Sequence, residues 1–208
     1  MKTKTQLTQT FFGTLVLATA ALTFTGCQSS NTACCLKPAT AAATTAAPAA
    51  AAPAAKQTLP TIRILAGSTA NITDSSGNVW LGAQGFVDGE TVDRSDLTIA
   101  NTKDQAIYRS ERYSMSVFSQ PLPNGKYTVK LHFAETFEGI TGVGQRVFSF
   151  NVEGHEVKDF DVFAKAGAAL RAHVETFNVE IKDGKLDIAF TSNVENPEIN
   201  GIEILPGS

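Results

Sequence analysis

The chain has 208 residues, and its formal net charge of −3 conceals two unlike parts. Residues 1–60 hold four of the 17 basic groups and no acid, so residues 61–208 carry 13 basic against 20 acidic groups. A region this acidic is a poor partner for nucleic acid, because binding to the phosphate backbone depends on Lys and Arg. All three cysteines precede residue 60, which argues against a disulfide scaffold in a region large enough to bury a core.

The first 26 residues are typical of an export signal. Lys2 and Lys4 precede an apolar run, Phe11 to Leu22, that is too short for a comfortable membrane span. Thr25-Gly26-Cys27 follows and resembles a bacterial lipoprotein signal, in which the cysteine is lipidated and becomes the mature N-terminus. The alternative is an ordinary secretory signal with an incidental cysteine. Gln28, rather than Asp, follows the cysteine and favours the outer membrane as the destination.

Residues 27–60 are predicted to be a tether. Every residue from 39 to 55 is Ala, Thr or Pro, so this stretch has no large apolar side chain whose burial could offset the entropy of ordering it. We expect a flexible, partly extended spacer. Cys34 and Cys35 lie near its start, with cross-linking, further acylation or no role as the alternatives. A metal site built on this pair is not expected without further ligands.

Residues 61–206 are predicted to be an all-β domain. Isoleucines 62 and 64 open it and isoleucines 202 and 204 close it, and the first and last strands of such folds are often neighbours. Residues 126–133 alternate strictly between apolar and polar side chains, which is typical of a half-buried strand. Residues 147–152 alternate in the same way through Phe148, Phe150 and Val152.

A hairpin is predicted near the end of this domain. Apolar residues alternate through 177–182 and again through 185–190, and Asp183-Gly184 between them fits a tight turn. With seven or more short strands and polar loops, the domain is predicted to be a jelly-roll-like β-sandwich.

The motifs of common enzymes are not found in this domain. It contains no His-Glu metalloprotease motif, no Gly-x-Ser-x-Gly elbow and no cysteine. His132, His155 and His173 are each expected to be surface histidines, and the acidic pairs Glu135/Glu138 and Asp159/Asp161 to be solvated. Asp93 and Asp96 are the alternative candidates for calcium ligands, beside the preferred interpretation as solvated surface residues. We therefore expect no enzyme activity, no cofactor and no metal. The glycine-rich segment 139–144 precedes a strand, which does not suit a phosphate cradle, and we expect a mobile loop that borders a binding site.

One series of segments resembles the malectin domain family. Residues 104–113 read DQAIYRSERY, which is similar to the family's signature. Further matching segments follow in the family's order, and together they cover essentially all of 61–206; they are 125–135, 145–148, 152–154, 158–162 and 195–204. The resemblance implies a carbohydrate-binding β-sandwich, whose eukaryotic type member recognises short α-linked glucose disaccharides.

The resemblance also implies the positions of the sugar-contacting residues. The family holds its sugar between loop aromatics and a carboxylate, and these positions correspond here to Tyr113, Phe137 and Glu195, with Asn196 beside the carboxylate. Glu138 stands where the family has the second aromatic of an adjacent pair, and residues 87–101 contain no aromatic to match an upstream tyrosine. Four residues of the signature are expected to support the site: Tyr108, Arg109, Glu111 and Arg112.

Three functions are compatible with these features. The first is a non-catalytic module on the bacterial cell envelope that binds gluco-oligosaccharides or other neutral glycans, with secretion as the alternative location. The second is a structural or protein-interaction lipoprotein that keeps the sandwich without binding sugar. The third is a hydrolase that uses Glu135, Glu138 or Glu195. An exposed cluster of Tyr113, Phe137 and Glu195 around one concavity favours the first, and burial of both rings favours the second.

Overall fold

The computed structural model describes residues 58–207 of the chain. The predicted leader at 1–26, the lipidated Cys27, the Cys34-Cys35 pair and nearly all of the tether predicted at 27–60 lie outside the described residues. Within residues 58–207, no helix is both long and apolar enough to cross a membrane.

The described residues form thirteen strands, one short α-helix and one turn of 3₁₀-helix. The strands in chain order are β1 (Ile62–Leu65), β2 (Ile72–Thr73), β3 (Val79–Trp80), β4 (Glu90–Asp93), β5 (Ser110–Tyr113), β6 (Val117–Pro121), β7 (Gly125–Phe133), β8 (Val147–Val152), β9 (His155–Phe160), β10 (His173–Ile181), β11 (Lys185–Val194), β12 (Glu198–Ile199) and β13 (Gly201–Pro206). The 3₁₀ turn, Gln105–Ile107, precedes β5, and α1, Val162–Ala166, precedes β10. The predicted all-β class is confirmed.

The first of two four-stranded sheets has the order β1-β13-β7-β10, and all of its pairs are antiparallel. Ile62 lies opposite Ile204 and Ile64 opposite Ile202, so the predicted pairing of the first and last strands is confirmed. The alternation along β7 is also confirmed, because Val129 and Leu131 are fully buried at its centre.

The second sheet has the order β6-β11-β8-β9 and faces the first across an apolar core. Four core phenylalanines have ring centroids 4.9–6.2 Å apart, namely Phe133, Phe148, Phe150 and Phe160. These separations fall in the range that aromatic pairs prefer. Side chains from both sheets fill one core, which makes the domain a β-sandwich.

The predicted hairpin of residues 177–182 and 185–190 is wrong. Its strands exist as β10 and β11, but β10 pairs with β7 in the first sheet and β11 pairs with β6 and β8 in the second. The turn at Asp183-Gly184 therefore carries the chain from one sheet to the other, and Gly184 takes a φ of +86° there. Alternation and a turn signal are the same for a hairpin and for a crossing between sheets, so the sequence pattern could not separate them.

The prediction that His132 lies on the surface is also wrong. The outer face of β7 at this position is covered by a second apolar cluster that includes Trp80 and Tyr108, and only 8% of His132 is exposed. Its Nδ1 lies 2.8 Å from the Tyr108 hydroxyl, and the Trp80 ring packs edge-on with centroids 5.1 Å apart. Burial lowers the pKa of His132 to about 4, so the ring is neutral at neutral pH.

Candidate functional site

A cavity of about 250 Å³ opens beside a three-stranded sheet of order β12-β5-β4. Tyr113 at the end of β5 lies between Glu90 of β4 and Glu198 of β12, so its backbone is held on both sides. Loop residues between β7 and β8 and between β11 and β12 supply much of the remaining wall. The cavity is lined by Val92, Arg94, Glu111, Tyr113, Phe137, Arg146, Glu195 and Asn196.

The two aromatic side chains expected from the sequence both line this cavity. Tyr113 is half-buried, and 42% of Phe137 is exposed. The Phe137 N–H donates to Glu135 Oε1 at 3.0 Å and its carbonyl accepts from the Ile140 N–H at 3.0 Å, which fixes the turn that carries the ring. Gly139 leaves room for the ring, because a Cβ there would lie 2.5 Å from Phe137 Cε1. Neither ring is fully buried in the core, so both have exposed surface that a ligand can contact.

Glu195 and Asn196 lie at the edge of the same cavity. Glu195 is exposed and takes a φ of +61°, a conformation that few residues other than glycine adopt. Its Oε1 accepts from the Asn196 N–H at 3.3 Å and from Asn196 Nδ2 at 3.2 Å. The Asn196 carbonyl accepts from Arg146 Nη1 at 2.6 Å. The loop is therefore tied to the cavity wall and presents one carboxylate and one amide to it.

Of the remaining residues expected from the sequence, only Glu111 lines this cavity. Glu138 lines a neighbouring cavity that shares Phe137 with this one. Tyr108 is buried against His132, and Arg109 donates to the Leu97 carbonyl at 2.7 Å. Arg112 donates to the Ala66 carbonyl at 3.2 Å, and its guanidinium lies 4.8 Å from the centre of the Phe86 ring. These last three residues support the fold around β5 instead of facing the cavity.

Two arginines of the cavity were not expected from the sequence, and both are engaged by carboxylates. Arg94 Nη1 lies 2.9 Å from Glu111 Oε1 and donates to the Thr136 hydroxyl, which in turn donates to the Glu111 carboxylate. Arg146 Nε lies 2.7 Å from Glu135 Oε2. Glu135 has no exposed surface and Asp161 is 7% exposed, so the expectation that these two acids are solvated is wrong. Glu111, Glu135 and Arg146 lie in the segments that resemble malectin domains, but nothing in the sequence shows which of these charges pair.

Glu198 of β12 completes what we call the charged cluster, defined as Arg94, Glu111, Glu135, Arg146 and Glu198. Glu198 has no exposed surface, and neither of its carboxyl oxygens has a hydrogen-bond partner among residues 58–207. Burial raises its pKa well above the usual value, the Glu111 and Glu135 carboxylates raise it further, and the two arginines oppose the shift. Because each arginine already pairs with another carboxylate, Glu198 is favoured as the neutral acid.

No metal centre is found among residues 58–207, because no three His, Cys, Asp or Glu side chains are grouped to hold an ion. Asp93 and Asp96, considered from the sequence as calcium ligands, are both exposed.

A family model described as "Malectin domain" matches residues 61–202, which is more than half of the chain. The chain belongs to the malectin domain family. The membership expected from the DQAIYRSERY segment and the segments after it is therefore confirmed, and malectin domains are of a carbohydrate-binding, non-catalytic type.

Curated relatives share this domain over about half of the chain. The chain is 32% identical to Malectin-B of Xenopus laevis over 127 residues, which cover 52% of this chain and 45% of that protein. It is 31% identical to human Malectin over 127 residues, which cover 52% of this chain and 42% of that protein. A probable LRR receptor-like serine/threonine-protein kinase of Arabidopsis thaliana is 37% identical over 102 residues, covering 45% of this chain and 11% of that kinase. The chain thus spans less than half the length of these relatives.

Solved structures share the fold of this malectin domain at low sequence identity. A Bacteroides uniformis beta-glucuronidase superposes with a TM-score of 0.65 at 20% identity, covering 72% of this chain and 18% of the enzyme. The plant receptor-like kinase FER superposes with a TM-score of 0.60 at 22% identity, covering 71% of this chain and 42% of that chain. At such identities the likeness concerns the fold alone.

Proposed function

We propose that this malectin domain binds a neutral gluco-oligosaccharide, or another neutral glycan, without cleaving it. One observation carries the proposal: Tyr113, Phe137 and Glu195 line a single cavity, and neither ring is buried in the core. The faces of sugar rings carry C–H groups that pack on aromatic rings, and carboxylates and amides bind vicinal hydroxyls. The cavity supplies both kinds of group.

The charges at the cavity favour a neutral ligand. The guanidinium groups of Arg94 and Arg146 each lie within 3 Å of a carboxylate oxygen, at 2.9 and 2.7 Å. Neither cation is therefore left to attract an anionic sugar. Glu195 adds an exposed carboxylate, which repels an anion and accepts from hydroxyls.

The same contacts favour binding over hydrolysis. A glycosidase uses one carboxylic acid and one free carboxylate on opposite sides of the scissile bond. Here Glu111 and Glu135 are held by arginines, Glu135 also accepts from the Phe137 N–H, and Glu198 is buried away from the cavity surface. The exposed Glu195 has no evident partner for acid–base work among the cavity residues. We therefore propose a binding protein and not an enzyme.

We expect weak affinity for a disaccharide. Two aromatic positions of the family are not aromatic here, and each lost stacking contact weakens binding by about 1 kcal/mol. The two losses together correspond to roughly tenfold to thirtyfold in the dissociation constant. Dissociation constants should be nearer millimolar than micromolar, and several copies on one surface would compensate through multivalency.

The test is a titration of the purified chain with maltose and longer gluco-oligosaccharides, followed by NMR of the Tyr113 and Phe137 rings. We expect saturable shifts of both rings. Phe137→Ala should reduce affinity about fivefold by removing a stacking face, and Glu195→Gln should reduce it severalfold while leaving the fold intact. Val174→Ala is the control, because Val174 is exposed and does not line the cavity, and it should leave the affinity unchanged. Sugar release that depends on Glu135, Glu138 or Glu195 would instead establish a hydrolase.

A protein-interaction role is the second candidate. It is supported by the reduced aromatic surface and by a fold relative, since plant FER was solved in complex with the peptide RALF23 and LLG2. If no glycan on a broad array binds the purified chain, this role replaces sugar binding.

We also propose that the domain is carried on the bacterial cell envelope by a lipid at Cys27, with the outer membrane as the favoured location. The short apolar run and Thr25-Gly26-Cys27 support this proposal, and residues 27–60 would hold the domain away from the membrane surface. Cys27→Ala should release the protein from membranes or leave the leader uncleaved, as measured by fractionation and mass. Unchanged partition and processing would favour ordinary secretion or another anchor.

A further inference from the structure

A second cavity of about 350 Å³ shares Phe137 with the proposed sugar site. Its lining is Leu97, Glu135, Thr136, Phe137, Glu138, Ile140, Thr141, Phe163, Ala169 and Leu170. Phe137 lines both cavities, so the two are neighbours and share this exposed side chain as a wall. A ligand that contacts this ring in the first cavity can therefore extend towards the second.

Hydrogen bonds fix the two walls of this second cavity relative to each other. The Leu170 N–H donates to the Glu135 carbonyl at 2.9 Å. Asp161, at the start of α1, accepts from the Gly144 N–H at 2.6 Å and from the Ala164 N–H at 2.9 Å. Leu170 also takes a φ of +53°, which is strained for a leucine. These contacts hold the walls in place, so the fold itself maintains the cavity.

The polar groups at the base of the second cavity are already engaged. Glu135 is bound by Arg146 and by the Phe137 N–H, and the Thr136 hydroxyl lies between Arg94 and Glu111. Glu138 and Thr141 are exposed at the edge, while six of the ten lining residues are apolar. Hydroxyls of a second sugar would find few partners at this base, whereas an apolar group would lose nothing by entering.

We propose that the second cavity binds an apolar aryl or alkyl substituent attached to the sugar that the first cavity holds. This inference rests on the proposed function, because the sugar places the substituent next to Phe137. The ligand class is then a substituted glycoside, with its sugar against Tyr113 and its apolar group against Ile140, Phe163 and Leu170.

The test compares methyl maltoside with phenyl maltoside by calorimetric titration of the purified chain. We expect the phenyl compound to bind about tenfold more tightly, since burying one aromatic ring against others is worth that order of affinity. Ala169→Phe should fill the second cavity, abolish this ratio and leave the affinity for methyl maltoside unchanged. Ala168→Phe is the matched control, because Ala168 does not line the cavity, and it should keep the ratio.

The outcomes separate this inference from the proposed function. Methyl maltoside that shifts the Tyr113 ring, together with equal affinity for both glycosides, would leave the sugar site standing and overturn the second cavity. A ratio that persists in Ala169→Phe would overturn it as well. If neither glycoside binds, phenol alone is titrated while the methyl resonances of Ile140 and Leu170 are observed. Saturable shifts of both that Ala169→Phe removes support the apolar site, and no shift overturns it.

Discussion

The core between the two four-stranded sheets and the charged cluster beneath the cavity are both buried, but they are stabilised in different ways. The core is entirely apolar, and its phenylalanines pack ring against ring. The charged cluster places three carboxyl groups and two guanidinium groups together with little access to water. A substitution in the core destabilises the fold when it changes the packed volume, whereas a substitution in the cluster destabilises it when it leaves a buried charge unpaired. Substitutions that change the core volume or the cluster's charge balance should therefore have different consequences.

The largest effect is expected from a cavity in the core. Phe148→Ala removes a fully buried ring that contacts Phe133, Phe150 and Phe160. It should lower the free energy of unfolding by about 3–5 kcal/mol, as measured by urea denaturation. Phe137→Ala is the matched control, since this ring is 42% exposed, and it should cost less than about 1 kcal/mol. Similar losses in the two variants would mean that Phe137 belongs to the core.

Breaking the charge balance comes next. Arg146→Met keeps most of the side-chain volume but leaves Glu135 buried without its cation, and should destabilise by about 3 kcal/mol or more. Adding Glu135→Gln should recover part of this loss, because the uncompensated charge is then removed. Lys158→Met is the control: its pair with Glu156 is exposed, and its loss should cost less than about 1 kcal/mol. If the double variant is no more stable than Arg146→Met, packing and not charge explains the effect.

A smaller effect, with a distinctive pH dependence, is expected at Glu198. Burial beside Glu111 and Glu135 raises its pKa in the folded protein above the unfolded value. Its contribution to stability is therefore complete below the unfolded pKa and is lost as the pH rises through the folded pKa. Glu198→Gln should match the wild type at low pH and become progressively more stable than it as the pH rises. Urea denaturation from pH 4 to 9 measures the difference, and parallel curves would show that the pKa of Glu198 is not raised by folding.

The contrast between the two regions also explains what the sequence could predict. The sequence could predict the core strands, because burial of one face of a strand imposes a period of two. This period is visible along β7 and in the isoleucines that open and close the domain. The crossing from β10 to β11 between sheets was missed, because long-range pairing leaves no local signal. His132 has the polar-face position of a surface residue, and only the packing of Trp80 and Tyr108 over that face buries it.

The residues of the site also fall into two groups, those that could be predicted from the sequence and those that could not. The positions of Tyr113, Phe137 and Glu195 came from the resemblance to malectin domains, and the structure brings the three to one cavity. Arg94, Arg146 and Glu198 could not be predicted, since their burial depends on loops and strands that are distant in the sequence. A single charged residue is predicted to be solvated unless its partner can be recognised in the sequence. Ion pairs do not recur at a regular spacing, so the partner cannot be found from a periodic pattern.

The smallest expected effect on stability is at Gly139, an exposed residue next to the Phe137 ring. A Cβ at this position would lie 2.5 Å from Cε1 and 2.8 Å from Cζ of Phe137, so Gly139→Ala must displace the ring. Because the displaced atoms are the free end of an exposed side chain, the free energy of unfolding should change by less than about 1 kcal/mol. The ring that faces the sugar would nevertheless move, and affinity for maltose should fall by up to about fivefold, the value of one aromatic contact. Gly142→Ala is the control, because its Cβ would meet only Gln145 Nε2, at 3.9 Å, and it should bind as the wild type does.

Parallel NMR titrations and urea denaturation of the two variants would distinguish the effects. Equal affinities would show that the pose of Phe137 does not matter to the ligand, whereas a large loss of stability in Gly139→Ala alone would show that this turn supports the core as well as the site.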